Sequence, residues 1–104
     1  MKMAEVDKVK LRHSLLNRAR VDIISGLLAK PRNISELEKQ LDINRSTICY
    51  HLNTLEEVGI LQSKYKILQA AQSKGRAGRI YSINTERLGE AIRAVEELRD
   101  ELKV

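Results

Sequence analysis

Two short helical patterns, separated by only three residues, restrict the fold of this chain more than any other feature of its sequence. Residues 33–41 open with Asn33 and Glu36 in a capping-box arrangement, which predicts the start of a short helix. Residues 45–57 follow Asn44, whose side chain can accept hydrogen bonds from the first free N–H groups of a second helix. The sequence therefore predicts two helices joined by a tight turn.

Helical spacing also marks two segments before this pair. Residues 6–16 form a modest amphipathic pattern, and residues 17–30 form a second one that Asn17 can cap. The second helix must end before Pro31, because the proline ring disfavours helical backbone in the preceding residue. The spacing does not decide whether the two helices merge into one.

After Gly59, a natural left-handed helix terminator, the helical period is lost. Residues 60–71 have the pattern of a strand, which could contain a bulge, and residues 80–83 have the pattern of a short return strand. Between them, residues 72–78 have the composition of a turn. The sequence therefore predicts a hairpin after the helix pair.

Basic residues are concentrated in this hairpin. Residues 58–84 contain five Lys or Arg and no Asp or Glu, within a chain of net charge +5. Such an acid-free run holds a positive potential near an anionic polymer such as DNA or RNA. The alternative interpretation is a solvated basic loop without a partner.

The chain has 104 residues, which suits one domain with a single core. Phe and Trp are absent, so that core must be aliphatic. We divide the domain into an N-terminal helix (1–16), a central unit of helices and hairpin (17–84) and a C-terminal helix (85–104). A tight helix pair followed by a basic hairpin indicates a mainly α fold with a small β-hairpin wing, the winged helix-turn-helix.

The stretch from residue 33 to residue 61 resembles the signature of ArsR-type winged-helix transcriptional regulators. It reads NISELEKQL, then DINRSTICYHL, then NTLEEVGIL. With the preceding helix and the hairpin, the resemblance covers residues 15–84, and it implies a dimeric, sequence-specific DNA-binding regulator whose second motif helix enters the major groove. Asp42 departs from the Gly that often occupies the turn, but Asp tolerates left-handed backbone better than most residues.

The second motif helix, residues 45–57, can be divided into faces by rotating its residues at 100° per position. Ile48, Leu52 and Leu55 fall on one face and are expected to be buried. The predicted DNA contacts lie toward the opposite side or its flanks: Arg45, Ser46, Thr47, Cys49, Tyr50 and Asn53. Arg45 can bind guanine in a bidentate contact and Asn53 can pair with adenine, whereas the hydroxyl groups suit phosphates. An ordinary solvated helix face is the alternative.

The predicted wing, residues 72–80, places basic side chains beside small residues that allow the backbone to approach DNA closely. Arg76 is the side chain that we expect to insert into the minor groove, with Lys74 and Arg79 on the DNA backbone. A tip that contacts nothing is the alternative.

The final helix, which Asn84 or Thr85 can cap, carries apolar residues at the spacing of a heptad seam. The predicted dimer-interface residues are Leu88, Ala91, Val95, Leu98 and Leu102. Because this seam lasts only about two heptads, it cannot hold a homodimer alone. The sequence does not decide whether the N-terminal helix joins the interface.

The sequence offers no recognisable chemistry for catalysis or for a cofactor. No Ser/His/Asp ordering, phosphate-binding loop or carboxylate pair stands out, so we expect the protein not to be an enzyme. We predict no metal site, since Cys49 and His51 point about 200° apart on a helix. No small-molecule effector is evident, and a redox role for Cys49 is left open. No membrane span or secretory signal is recognisable, so we expect a cytoplasmic location.

These patterns predict a homodimeric transcription factor that binds double-stranded DNA. The alternative function is a winged-helix assembly module that binds a protein and not DNA, a role that would suit the acidic residues 34–57. RNA binding is a third hypothesis, less favoured because three Tyr provide few platforms for base stacking.

Overall fold

The computed structural model of the chain describes residues 4–67 and 77–103, and the side chains of residues 8–66 and 78–103. Its elements follow the order α1 (Ala4–Leu15), α2 (Arg18–Ala29), α3 (Ile34–Leu41), α4 (Arg45–Glu57), β1 (Leu61–Ile67), β2 (Ala77–Ile83) and α5 (Thr85–Glu101). The predicted mainly α fold with a small β-hairpin is therefore confirmed.

Local capping sets where the helices begin. The capping residues of α2 to α5 are Asn17, Asn33, Asn44 and Asn84, each accepting a hydrogen bond from the backbone N–H three residues later. Each bond satisfies a donor that has no partner inside the helix. Asn33 and Glu36 also form the predicted reciprocal capping box. The cap at Asn17 keeps α1 and α2 separate.

Left-handed residues set where α3 and α4 end. Asp42 adopts φ 55° and ψ 42°, and its N–H donates to the Glu38 carbonyl, as expected for a residue that tolerates this backbone. Gly59 adopts φ 86°, and the next N–H, that of Ile60, donates to the Leu55 carbonyl over 3.0 Å. This second bond is that of a Schellman motif, which turns the chain directly from α4 into β1.

Strand β2 is longer than the sequence predicted, since it begins at Ala77 and not at Ile80, and the pairing of the hairpin is regular. The two strands pair antiparallel and one to one, from Leu61 opposite Ile83 to Ile67 opposite Ala77, so they contain no bulge. Ala77 and Gly78, which we assigned to the turn from the composition of residues 72–78, belong to β2. Small residues lack the apolar alternation that marks a strand, and here backbone pairing with β1 determines their conformation.

A third segment extends the sheet at its other edge. Arg32 exchanges two backbone hydrogen bonds with Tyr81, of 2.9 and 3.1 Å, in an isolated antiparallel bridge. The Arg32 guanidinium donates to the Gly26 carbonyl over 2.8 Å. The segment between α2 and α3 is thereby joined to the hairpin.

One hydrophobic core lies between the helices and the base of the hairpin. Its buried residues are Leu11, Ile23, Ile24, Leu27, Leu37, Ile48, Leu52, Leu55, Ile60, Leu61, Tyr81 and Ala91. The predicted aliphatic core is confirmed apart from Tyr81, which is 2% exposed. Residues from α1, α2, α3, α4, the hairpin and α5 all contribute, so packing fixes the orientation of α4 from several sides.

Helix α1 packs along α5 and is held there by ion pairs. Lys8 lies 3.1 Å from Glu97, and Arg12 lies 2.9 Å from Glu101. The Arg12 side chain also donates to the Ala94 carbonyl over 3.1 Å. One side of α1 is therefore covered by α5.

Candidate DNA-binding surface

Helix α4 has a buried face and an exposed face, as its spacing predicted. Ile48, Leu52 and Leu55 are fully buried. The predicted contacts lie outside the core, with Arg45, Ser46, Tyr50 and Asn53 exposed and Thr47 and Cys49 half-buried. The helix thus presents a polar surface on a rigid apolar support.

The first turn of α4 is ordered by a small hydrogen-bond cluster. The Asn44 side-chain oxygen accepts from the Thr47 backbone N–H over 3.0 Å and from the Ser46 hydroxyl over 2.9 Å. The Ser46 hydroxyl is therefore held in place before any ligand arrives. A phosphate at this position would compete with Asn44 for that donor.

Arg45 lies at the start of α4, beside α3. One terminal nitrogen of its guanidinium is 3.0 Å from a Glu38 carboxylate oxygen and 3.4 Å from the Ser35 hydroxyl. The Arg45 side chain is still 56% exposed. Its remaining donors are therefore accessible, while the ion pair to Glu38 limits how far the side chain can extend.

A buried Arg–His pair connects α4 to α2. The Arg20 side chain donates to Nδ1 of His51 over 3.0 Å, and the two residues are 8% and 7% exposed. Because Nδ1 accepts, the neutral ring carries its proton on Nε2. Burial lowers the pKa of the His51 imidazole below its ordinary value, and the charge of Arg20 lowers it further. Sequence reasoning did not find this pair, since 31 positions separate its members.

Arg79 connects the hairpin to α4. Its guanidinium lies 3.1 Å from Glu56 and donates to the Ser63 hydroxyl over 2.9 Å, and that hydroxyl donates to Glu56 over 2.7 Å. The same guanidinium lies 5.7 Å from the Tyr65 ring centroid and 5.5 Å from that of Tyr81. Both distances are in the range of cation–π contacts. Arg79, expected on the DNA backbone, is thus engaged within the protein, with its side chain 39% exposed.

The other basic residues of the hairpin divide into two sets. Lys64 and Lys66 are exposed on β1, on the strand face opposite Ser63 and Tyr65. Lys74 and Arg76, the predicted contacts at the tip, lie outside the described residues. The structure therefore describes only Arg79 of the three predicted wing contacts.

The predicted dimer seam on α5 is divided between the core and the surface. Ala91 is fully buried inside its own chain, while Leu102 is 68% exposed. Leu88, Val95 and Leu98 are half-buried. Ile92, which the heptad pattern omitted, is 44% exposed. Ala91 cannot reach a partner without unpacking its own core.

An apolar groove runs between α2 and α5. It has a volume of about 350 Å³, and α5 contributes Leu88, Ile92 and Val95 to its walls. On α2, Val21 and Leu28 line the same groove and are 39% and 59% exposed. The exposed apolar surface of α5 is therefore continuous with that of α2.

Among the described residues, the His, Cys, Asp and Glu side chains form no group of three or more that could hold a metal ion. None of the helices that the structure describes combines the length and apolar composition needed to cross a bilayer.

The chain is similar in sequence to known transcriptional regulators. Residues 17–63 match the model of the family described as bacterial regulatory protein, arsR family. An HTH-type transcriptional regulator from Methanocaldococcus jannaschii is 35% identical over 72 residues, which cover 69% of this chain and 75% of that protein.

Solved structures share the fold. An ArsR-like transcriptional regulator from a Rhodococcus species has a TM-score of 0.71 at 20% identity, covering 98% of this chain and 88% of its own. A transcriptional regulator homologue from Pyrococcus horikoshii has a TM-score of 0.65 at 24% identity, covering 88% and 86%. The homodimeric winged helix-turn-helix DNA-binding domain of a Mycobacterium bovis protein has a TM-score of 0.65 at 20% identity, covering 94% and 83%. With its family match, its archaeal relative and this winged helix-turn-helix fold, the chain belongs to the ArsR family of DNA-binding transcriptional regulators.

Proposed function

We propose that the protein binds a pseudo-palindromic DNA duplex as a homodimer, with α4 of each subunit in a major groove. The observation that carries this proposal is the exposed polar face of α4 above the fully buried Ile48, Leu52 and Leu55. Because these core residues already fix the position of α4, binding DNA does not carry the entropic cost of ordering this helix. The two helices of a dimer would lie about one DNA turn apart, so each would enter a successive major groove.

Within this surface, each side chain has a distinct role in the proposal. Arg45 binds guanine and Asn53 binds adenine, because both side chains are exposed and suit those base edges. Ser46, Thr47 and Tyr50 donate to phosphates, and Cys49 lies at the flank of the interface. These phosphate contacts would fix the position of α4 along the duplex, so that Arg45 and Asn53 face particular base pairs.

The wing is proposed to lie on the backbone or in the minor groove beside the major groove that α4 enters. Arg76 enters the minor groove and Lys74 contacts a phosphate. Arg79 positions the hairpin against α4 through Glu56 and offers its exposed edge to the backbone. The wing and α4 would then contact DNA as one rigid unit.

The proposed dimer interface combines α5 with the neighbouring α2. The seam runs through Leu88, Ile92 and Val95, so Ile92 takes the place that the heptad pattern assigned to Ala91. Leu98 and Leu102 extend the seam toward the end of α5, and Val21 and Leu28 widen it. A Mycobacterium bovis domain of the same fold is homodimeric, which supports a homodimer here without specifying the helices that form it.

We further propose that the protein acts in the cytoplasm as a binding protein and catalyses no reaction. Its archaeal relative is named as a transcriptional regulator, and a regulator acts where the DNA lies.

The test of DNA binding is fluorescence anisotropy with a random duplex over a series of salt concentrations. Binding to phosphates releases counterions, so the logarithm of the affinity should fall steeply as the logarithm of the salt concentration rises. Arg76→Ala should weaken binding to all sequences evenly and reduce that slope by about 1. Absence of salt-dependent binding by the wild type would refute the proposal and favour an assembly module.

The test of the dimer is sedimentation velocity of Ile92→Glu at micromolar concentration. A carboxylate in an apolar seam is costly to bury, so this variant should sediment as a monomer while the wild type sediments as a dimer. Arg93→Glu is the matched control, because Arg93 is exposed on α5 and does not line the groove. A monomeric wild type, or a dimeric Ile92→Glu protein, would contradict the proposed interface.

A further inference from the structure

A polar cleft lies beside the exposed face of α4, on the side that faces α1 and α2. It has a volume of about 630 Å³. Its lining residues are Lys10, His13, Ser14, Arg20, Tyr50, Thr54, Glu57 and Val58. Of these, only Tyr50 belongs to the DNA contacts predicted from the sequence, so most of the cleft has no assigned role.

Arg20 provides a buried positive charge in this cleft. The residue is 8% exposed, and its guanidinium donates to His51 Nδ1 over 3.0 Å and to the Ser14 carbonyl over 3.4 Å. Its centre also lies 5.8 Å from the Tyr50 ring centroid. These partners are neutral, and no carboxylate of the described residues lies within 4.0 Å of Arg20. Buried charges in proteins are normally paired with a group of opposite charge. The unpaired charge of Arg20 therefore favours binding of an anion in the cleft.

The rim of the cleft carries two more nitrogen-bearing side chains. Lys10 and His13 are exposed, and neither forms an ion pair or side-chain hydrogen bond with another described residue. Their neighbours on α1, Lys8 and Arg12, are paired with α5 instead. On α1, the two cations that form ion pairs, Lys8 and Arg12, therefore lie toward α5. Lys10 and His13 line the cleft beside α4.

One acidic side chain, Glu57, also lines the cleft, from the last turn of α4. It is exposed. It does not neutralise Arg20, since no ion pair joins the two among the residues described. The cleft is thus lined by two positively charged side chains, Lys10 and Arg20, by the His13 ring and by a single carboxylate, that of Glu57.

We propose that this cleft holds a backbone phosphate of the bound DNA, which is the phosphate assigned above to Tyr50 and is distinct from those contacted by Ser46 and Thr47. Lys10 and His13 donate to the phosphate from α1, and the Tyr50 hydroxyl donates from α4. Arg20 supplies positive potential from the floor of the cleft. The inference rests on the proposed DNA-binding function, and it extends the interface to α1, which the sequence reasoning assigned only to the dimer question.

The experiment uses the double variant Lys10→Gln, His13→Gln of the full chain, in anisotropy titrations with random duplex across a salt series. Losing one phosphate contact should reduce the slope of log affinity against log salt concentration by about 0.9. If the variant and the wild type bind equally at 1 M salt, the variant should then bind about 8-fold more weakly than the wild type at 0.1 M salt. Both side chains are exposed, so the variant should fold as the wild type does. Arg93→Gln removes an exposed cation of α5 and should leave the slope unchanged.

The opposite change should have the opposite effect. Glu57→Gln removes the carboxylate from the edge of the cleft and should strengthen DNA binding by a few fold, by ending its repulsion of the phosphate. Glu86→Gln, which removes an exposed acid at the start of α5, is the matched control and should have little effect. A gain in affinity cannot result from misfolding.

The outcomes separate this inference from the function on which it rests. If the wild type shows no salt-dependent binding, both are wrong. If the wild type binds but the double variant keeps the slope of Arg93→Gln, the function stands and the phosphate site is overturned. Saturable binding of inorganic phosphate to the free protein, lost in the double variant while the DNA salt slope is unchanged, would assign the cleft to a free anion and would also overturn the proposal.

Discussion

The ion pair between Arg45 and Glu38 allows the proposed contact of Arg45 with a base to be tested by changing Glu38. The two side chains are 56% and 38% exposed, with 3.0 Å between nitrogen and oxygen. An exposed ion pair of this kind contributes about 0.2–1 kcal/mol. If Arg45 must leave Glu38 to reach guanine, Glu38→Gln removes that cost, and DNA binding should strengthen by about 1.4- to 5-fold.

Arg45→Ala should act in the opposite direction and at one base pair. Loss of a bidentate contact to guanine weakens binding by about 1–3 kcal/mol and relaxes the preference at that position. The assay is fluorescence anisotropy, first with a duplex selected from a random pool and then with duplexes changed one base pair at a time. Wild-type affinity for every duplex would refute the assignment of Arg45.

The double variant decides whether the two residues act through each other. If Glu38 restrains Arg45, the gain from Glu38→Gln should disappear when Arg45 is already alanine. An equal gain in both backgrounds would refute the reasoning, because Glu38 would then act only by repelling DNA. Asp42→Asn measures that repulsion alone, since Asp42 is exposed nearby and Asn tolerates the same left-handed backbone.

Three further predictions concern how α4 is held. The lowered pKa of His51 means that its neutral form stabilises the fold. The contribution of His51 to the free energy of unfolding should be complete well above pH 6.5 and should decrease as the pH drops through 6.5 toward the lower pKa of the folded state. Urea titrations should show a smaller decrease in His51→Asn, which can still accept from Arg20. Glu56→Gln breaks the partly buried pair to Arg79 and should lower the free energy of unfolding by about 1 kcal/mol, whereas Glu57→Gln should leave it unchanged. Gly59→Ala forces a Cβ into φ 86° and to 3.2 Å from Arg87 Nε, so urea unfolding should show a loss of about 1–2 kcal/mol; an unchanged midpoint would contradict the role of this residue in ending α4.

Much of the helical framework could be predicted because its signals are local. The caps at Asn17, Asn33 and Asn44 act on N–H groups three residues away, and the left-handed turn at Asp42 involves one backbone position. The buried face of α4 likewise follows from the helical period alone. Each of these predictions depends on residues within one or two helical turns.

The hairpin shows where local signals end. Strand β2 begins at Ala77, inside a stretch whose small residues indicated a turn. Its pairing partners are up to 22 positions away, from Leu61 opposite Ile83 to Ile67 opposite Ala77. Composition reports which residues favour a turn, but pairing across the ladder overrides that preference.

The final helix shows the same limit in its packing. The heptad spacing selected Ala91, while the structure buries that residue and exposes Ile92. A period of apolar residues indicates that a helix has an apolar side, but the neighbouring helices decide which part of that side is already covered. Here α1 occupies one side of α5 through Arg12 and Ala94, so the free apolar surface is displaced.

The sequence by itself determined the helix pair, its caps and turn, and the polar face of α4, because each depends on neighbouring residues and the fixed geometry of a helix. Only the tertiary structure decided which side chains support and surround that face. The pairs Arg20 with His51 and Arg79 with Glu56 join residues 31 and 23 positions apart, and the cleft beside α4 forms only because α1 packs near it. Such contacts depend on how the elements cross in space, and that arrangement is set by the burial of one shared core rather than by any single segment.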